Sequence, residues 1–132
     1  MTKRKFMLVG FLVTSAVLVA GCEQPNSEQT QRYLPEKGFV ANSQQGERLF
    51  RDNCAQCHGK AGAGTNQGPP LVHKIYHPGH HADLTFYLAA KNGTQQHHWR
   101  FGNMPPVPAV SPEQVGHIIA YVRRQQRQAG IH

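Results

Sequence analysis

The chain is poor in cysteine, in tryptophan and in acidic side chains: of 132 residues, 3 are Cys, 1 is Trp and 7 are Asp or Glu. With aromatics at 8%, a core built from side chains alone would be thin. Domains of this size often gain from a staple such as a metal or cofactor. The length leaves room for one small domain and an appendage, which excludes a large multidomain enzyme. The formal charge is +7, yet there is no run of five or more Lys/Arg, so the basic balance is not a nucleic-acid footprint. No internal repeat is present, and nothing alternates with strand period over a useful length. The composition also excludes collagen, coiled coil and wholesale disorder.

No apolar run reaches the roughly 20 residues a helix needs to span a bilayer. The longest is Phe6 to Ala20, preceded by Lys3-Arg4-Lys5 and followed by Gly21-Cys22. A basic start, a short apolar stretch and small residues at the cut site describe an export signal over residues 1–21. Small residues running directly into cysteine resemble the lipobox of bacterial lipoproteins, which makes Cys22 the expected lipidation site and first mature residue. An ordinary signal would leave Cys22 as a free thiol in an oxidising compartment, a liability that lipidation removes. Exported, lipid-anchored placement on the periplasmic side of a bacterial membrane follows. Glu23 in place of Asp favours the outer membrane under the enterobacterial sorting rule, but that rule varies between organisms, and the choice of membrane stays open.

Residues 22–42 are polar, with Pro25 and Pro35, and read as a flexible tether. Tyr33-Leu34 and Phe39-Val40 are the positions in it suited to touching the domain. Residues 43–132 form the expected domain. A first helix is predicted from Asn42-Ser43, with Asn42 and Gln45 at capping-box spacing, running to about Ala55 with Leu49, Phe50 and Cys54 on one face. Gly59 to Leu71, with four Gly and two Pro, is loop. A second helix is predicted over His81 to Asn92, with Leu84, Tyr87 and Leu88 on one face and Asn92-Gly93 as the stop. Thr94 to Val110 is irregular. The last helix opens on Ser111, Pro112 and Gln114, carries the Val115, Ile118, Ile119, Val122 stripe, and ends at Gly130. The fold class is small, all-α, with three main helices and long loops.

Chemistry concentrates at Cys54-Ala55-Gln56-Cys57-His58. C-x-x-C-H reads as a c-type haem attachment site. Two thiols three residues apart on a helical turn can each add to one vinyl group of the same porphyrin, and the next histidine lies under the iron. A zinc half-site would need a second Cys or His pair. A thioredoxin-like motif would need a βαβ pattern, and a Cys54–Cys57 disulfide would close a very short loop for little gain. Met104, in Gly102-Asn103-Met104-Pro105-Pro106, is the expected second axial ligand. It is the one methionine left after the signal, it sits in a loop and not on an apolar helix face, and a thioether suits Fe(II).

Gly46…Phe50, Cys54-x-x-Cys57-His58, Gly68-Pro69-Pro70-Leu71, Met104-Pro105 and a final amphipathic helix with Tyr121 together resemble class I cytochrome c in its short bacterial, monohaem form, over residues about 43 to 126. The resemblance implies three helices around one covalent haem c, with the first and last crossing at Gly46 and an aromatic from each, Phe50 and Tyr121, packed there. It implies that the Pro69 carbonyl holds His58 in orientation, and that Trp99 and Arg100 reach haem propionates. The implied function is a one-electron carrier between redox protein partners, attached to the membrane through Cys22, with no nucleic-acid partner and no catalysis of its own. Lys60, Lys74, Arg123, Arg124 and Arg127 are candidates for steering acidic partners.

Nine histidines are more than that pattern needs. His80-His81 and His97-His98 flank the second helix, and neutral imidazoles suit copper or zinc, although no spacing here fits a known metal motif. His117 is expected simply to flank the last helix's stripe. Two rival functions follow: a haem sensor or peroxidase-like protein with a displaceable Met104, and a copper-handling protein using the histidine pairs. No distal acid–base pair is evident, which argues against the peroxidase.

Overall fold

The computed structural model describes residues 33–132. The expected signal at 1–21, Cys22 and the first part of the tether lie outside the described residues. Four helices follow in order: α1 (Ser43–Asn53), α2 (Ala55–His58), α3 (Asp83–Asn92) and α4 (Pro112–Gln128), with short 3-10 turns at Lys60–Gly62 and Lys74–Tyr76. The described residues contain no strand, only an isolated antiparallel bridge between Thr94 and Met104. Among them, no helix is long and apolar enough to cross a membrane.

α1 starts where extended Asn42 accepts hydrogen bonds through its side chain from the Gln44 and Gln45 amides. The reciprocal half of the expected capping box does not form. The Asn42 amide donates instead to His117 Nδ1 at 2.8 Å, which makes His117 a strut between α4 and the entry to α1. α1 also stops at Asn53, short of the expected Ala55. Asn53 Nδ2 donates to the Leu49 carbonyl at 2.9 Å, and Cys54 takes φ −125°, ψ −33°. A short polar side chain bonding its own backbone competes with helix continuation. The break re-aims the chain, so the cysteine motif rides on its own turn, α2.

α3 begins two residues later than expected. His81 is drawn out of the helix because its Nδ1 donates to the Ile75 carbonyl at 2.8 Å and its own carbonyl accepts from Arg123. The packed face is Phe86, Tyr87 and Ala90, while Leu84 is exposed. This corrects the Leu84, Tyr87, Leu88 stripe: α3 is apolar on several sides, and periodicity cannot choose between overlapping stripes. α3 ends at Gly93 with φ +74°. That left-handed conformation favours glycine, and a Cβ here would also strike the Met104 carbonyl.

α4 forms as expected. Ser111 and Gln114 make a full capping box and Pro112 occupies the first turn; such a cap contributes about 1 kcal/mol. Val115, Ile118, Ile119 and Val122 are buried with Tyr121, and Phe50 of α1 packs among them at 1% exposure. The α1–α4 crossing is close at Gly46, where a Cβ would land on the His117 carbonyl. Beside it the Phe50 and Tyr121 rings sit 5.4 Å apart, tilted 48°. Tyr33 and Phe39 both touch the domain: the Tyr33 hydroxyl donates to the Val110 carbonyl at 3.3 Å, and Phe39 packs on the His117 ring at 4.9 Å. Val40 stays exposed.

Arg123 does not belong among the steering cations. It is 7% exposed. Its guanidinium donates to Asp83 Oδ1 (2.8 Å), the Tyr76 carbonyl (2.8 Å), Gln126 Oε1 (2.7 Å) and the His81 carbonyl. Arg alone among cations offers a planar fork of five donors that can satisfy so many acceptors at once. It ties α4 to α3 and to the 73–81 segment. Arg124 is also engaged, with Glu47 at 2.8 Å.

Candidate functional site

The break after α1 turns α2 toward a cavity of about 620 Å³. Cys54 at the break and Cys57 and His58 from α2 line it, together with Phe50, Pro69, Leu71, Phe86, Met104, Val107 and Ile119. His58 is 8% exposed. Its Nδ1 lies 2.9 Å from the Pro69 carbonyl oxygen. A carbonyl only accepts, so Nδ1 carries the proton and Nε2 keeps its lone pair for a metal. Burial lowers the His58 pKa and the Pro69 bond partly offsets this, so the ring is a neutral ligand at neutral pH. Burial and the neighbouring Cys57 push the Cys54 thiol up to about 11. Cys54 and Cys57 are both free of disulfide, and Cys57 is exposed.

The 59–72 loop supports this arrangement from below. The Gly64 amide donates to the His58 carbonyl (2.7 Å), and the Leu71 and Val72 amides share the Gly62 carbonyl (2.8 and 3.0 Å). Thr65 Oγ1 donates to the Cys57 carbonyl at 2.6 Å. The loop's carbonyls and amides are thereby spent on α2 and on each other, and Pro69 is held against His58.

Met104 is positioned by two backbone hydrogen bonds with Thr94, both 2.9 Å. The 94–104 segment between them is braced by Asn103 Oδ1 accepting from the Gln96 amide and Gln96 Oε1 accepting from the Gly102 amide, each 3.1 Å. Trp99 lines the cavity, and its Nε1 is buried with no hydrogen-bond partner; the Tyr76 hydroxyl approaches it without hydrogen-bond geometry. Arg100, expected beside it, is exposed and does not line the cavity.

Several wall residues have no signature in the sequence: Tyr76, Phe86 and Phe101, the last 38% exposed. The convergence of His80, His81, His97 and His98 on this wall is also new. Burial lowers the His81 pKa, with His80, His98 and His97 adding to the fall against the Ile75 bond; partial loss of hydration, then His97 and His80, lowers that of His98.

The residues fit a covalent haem. The volume falls inside the roughly 300–1,000 Å³ of cofactor sites. The His58 imidazole, one thioether and two thiols border a largely apolar space whose wall also carries His80, His81, His97 and His98, and one buried indole N–H has no hydrogen-bond partner.

Comparison with known proteins gives two findings. The cytochrome c family model matches residues 43–126. The chain is 38% identical over 80 residues to a "Cbb3-type cytochrome c oxidase subunit CcoP" of Rubrivivax gelatinosus, covering 58% of this chain and 24% of that protein. The chain thus spans about a quarter of the length of this relative.

Proposed function

The chain belongs to the cytochrome c family, and from that premise we propose that it is a monohaem, lipid-anchored carrier of single electrons between redox proteins. The haem, when bound, supplies the one-electron Fe(III)/Fe(II) couple. The chain's own residues do the rest. Cys54 and Cys57 would hold the group covalently, and His58 Nε2 and the Met104 thioether would ligate its iron. Pro69 fixes the His58 ring through Nδ1, and the Trp99 indole would donate to a propionate. Phe50, Leu71, Phe86 and Ile119 exclude water, and a dry site is one of the levers on potential. With His58 and Met104 both committed to the iron, no position would remain there for a substrate, which is why the reading is a carrier and not an enzyme.

The observation that carries this reading is that Cys54, Cys57, His58 and Met104 line one apolar cavity, with His58 already oriented by Pro69. Similarity to a subunit of a cytochrome c oxidase supports redox proteins as partners. Phe101, and exposed Lys60, Lys74 and Arg127, remain as candidate contacts for a small, transient interface. Absorption spectra of the haem-loaded protein, oxidised and reduced and with carbon monoxide, test the ligation. A low-spin spectrum that carbon monoxide leaves alone is expected; a high-spin or readily shifted one means an open iron and sinks the carrier.

The anchor is proposed on the sequence around Cys22 alone. Lipid plus tether would raise the effective concentration near membrane partners. Cys22→Ser should abolish incorporation of labelled palmitate into the protein. Label that persists in the variant, or its absence from the parent, would overturn lipidation at this position.

A further inference from the structure

Four histidines that the carrier function does not use are gathered on one wall. His80 and His81 come from the segment before α3, and His97 and His98 from the 94–104 segment. Ring centroids stand 4.7 Å apart for His80–His81, 5.2 Å for His80–His98 and 5.1 Å for His81–His98. Each of these three rings offers one nitrogen, and the three nitrogens all lie within 4.8 Å of one another. His80 Nε2 and His98 Nε2 are 3.3 Å apart. Zinc binds imidazole nitrogen at about 2.0–2.1 Å, so two ligands of one tetrahedral ion stand about 3.4 Å apart. The His80–His98 pair is therefore already at the edge length of a tetrahedral site, while the separation is long for a hydrogen bond.

The third ring is held from behind. His81 Nδ1 donates to the Ile75 carbonyl at 2.8 Å, which settles its tautomer with Nε2 unprotonated. A backbone carbonyl on the far nitrogen is how metal-binding histidines are commonly oriented. His97 differs: its Nδ1 is turned to the Gln95 carbonyl at 2.9 Å, and it stands outside the converging trio although it packs on His98 at 4.2 Å. Among the described residues no carboxylate forms an ion pair with any of these rings. Among the described residues no carboxylate joins the trio, and three imidazoles suit zinc or copper. His80 and His98 are exposed, so an ion has a path in and a solvent molecule can complete the coordination.

The geometry points to a second metal site in this protein, in which His80, His81 and His98 bind one tetrahedral divalent zinc-type ion. The ion would cross-link the 73–81 and 94–104 segments, the second of which carries Met104. The trio lines the same cavity as His58 and Met104, but its ligands are other residues, and its test reads zinc binding, not electron transfer.

Isothermal titration of Zn²⁺ into the chelator-stripped, haem-loaded protein tests it. About one equivalent should bind in the micromolar range or tighter, and the thermal midpoint should rise with Zn²⁺. Removing an outer partner of a metal ligand costs about 10–100-fold in affinity, so His80→Gln and His98→Gln should each weaken binding at least that much. His97→Gln should leave it unchanged. An unaltered haem spectrum in each variant shows that the fold survives the substitution. No binding to the parent, as when the rings are committed to haem propionates, overturns the site. So does binding that all three variants weaken equally, or that none of them weakens.

Discussion

Met104→Ala is expected to keep its covalent haem and lose the weak long-wavelength absorption band of methionine–iron ligation. Cys57 and His58 are on α2, with Cys54 at its N-cap, and α2 is supported by the 59–72 loop, so attachment does not depend on Met104. Met104 is placed independently of α2, by a backbone bridge to Thr94 and a segment braced through Gln96 and Asn103. His/Met ligation raises the haem potential, and axial ligands span roughly 0.8 V across haem proteins. The variant's potential should fall by on the order of 100 mV or more, as read by a redox titration followed in the visible spectrum. Carbon monoxide should then bind where the parent excludes it. An unchanged band and potential would mean that another side chain completes the coordination, and the assignment of Met104 would be abandoned.

Gly46→Ala should destabilise the haem-loaded protein by about 3 kcal/mol or more, at the upper end of overpacking costs. A Cβ at Gly46 would occupy the position of the His117 carbonyl and stand 3.0 Å from Tyr121 Cβ. Neither neighbour is the far end of a flexible side chain. α1 and α4 would have to separate, which loosens the Phe50–Tyr121 contact and the Asn42–His117 hydrogen bond together. A denaturant titration measures the loss, and the haem spectrum at zero denaturant checks that the site still assembles. A loss below about 1 kcal/mol, the low end of such costs, would show that the crossing is loose and that Gly46 does not set its distance.

The elements best read from sequence are those whose signals are local. Ser111, Pro112 and Gln114 act within one turn, and the α4 stripe has a single apolar face, so cap, start and buried set agree with the structure. α1 and α3 were less legible because their ends are set from outside. The Asn42 amide goes to His117, 75 residues away, and His81 is pulled from α3 by Ile75 and Arg123. The Leu84 stripe failed where several apolar faces competed. Arg123 read as a surface cation because nothing near it in sequence announces the acceptors at Tyr76, His81 and Asp83.

By itself the sequence carried the fold class and the signals for the chemistry: a cysteine pair and histidine whose spacing suits one porphyrin, a methionine in a loop flanked by glycine and proline, and a helical fold with no strand period. These are short-range facts, fixed by covalent spacing and by the 3.6-residue turn. Only the tertiary structure decided which of the surplus histidines meet, that Trp99 is inside and Arg100 outside, and that Arg123 is a buried tie and not a docking charge. Each of those depends on segments far apart in the chain coming within a few ångströms, and that is settled by packing around a shared core, for which no single stretch of residues carries the information.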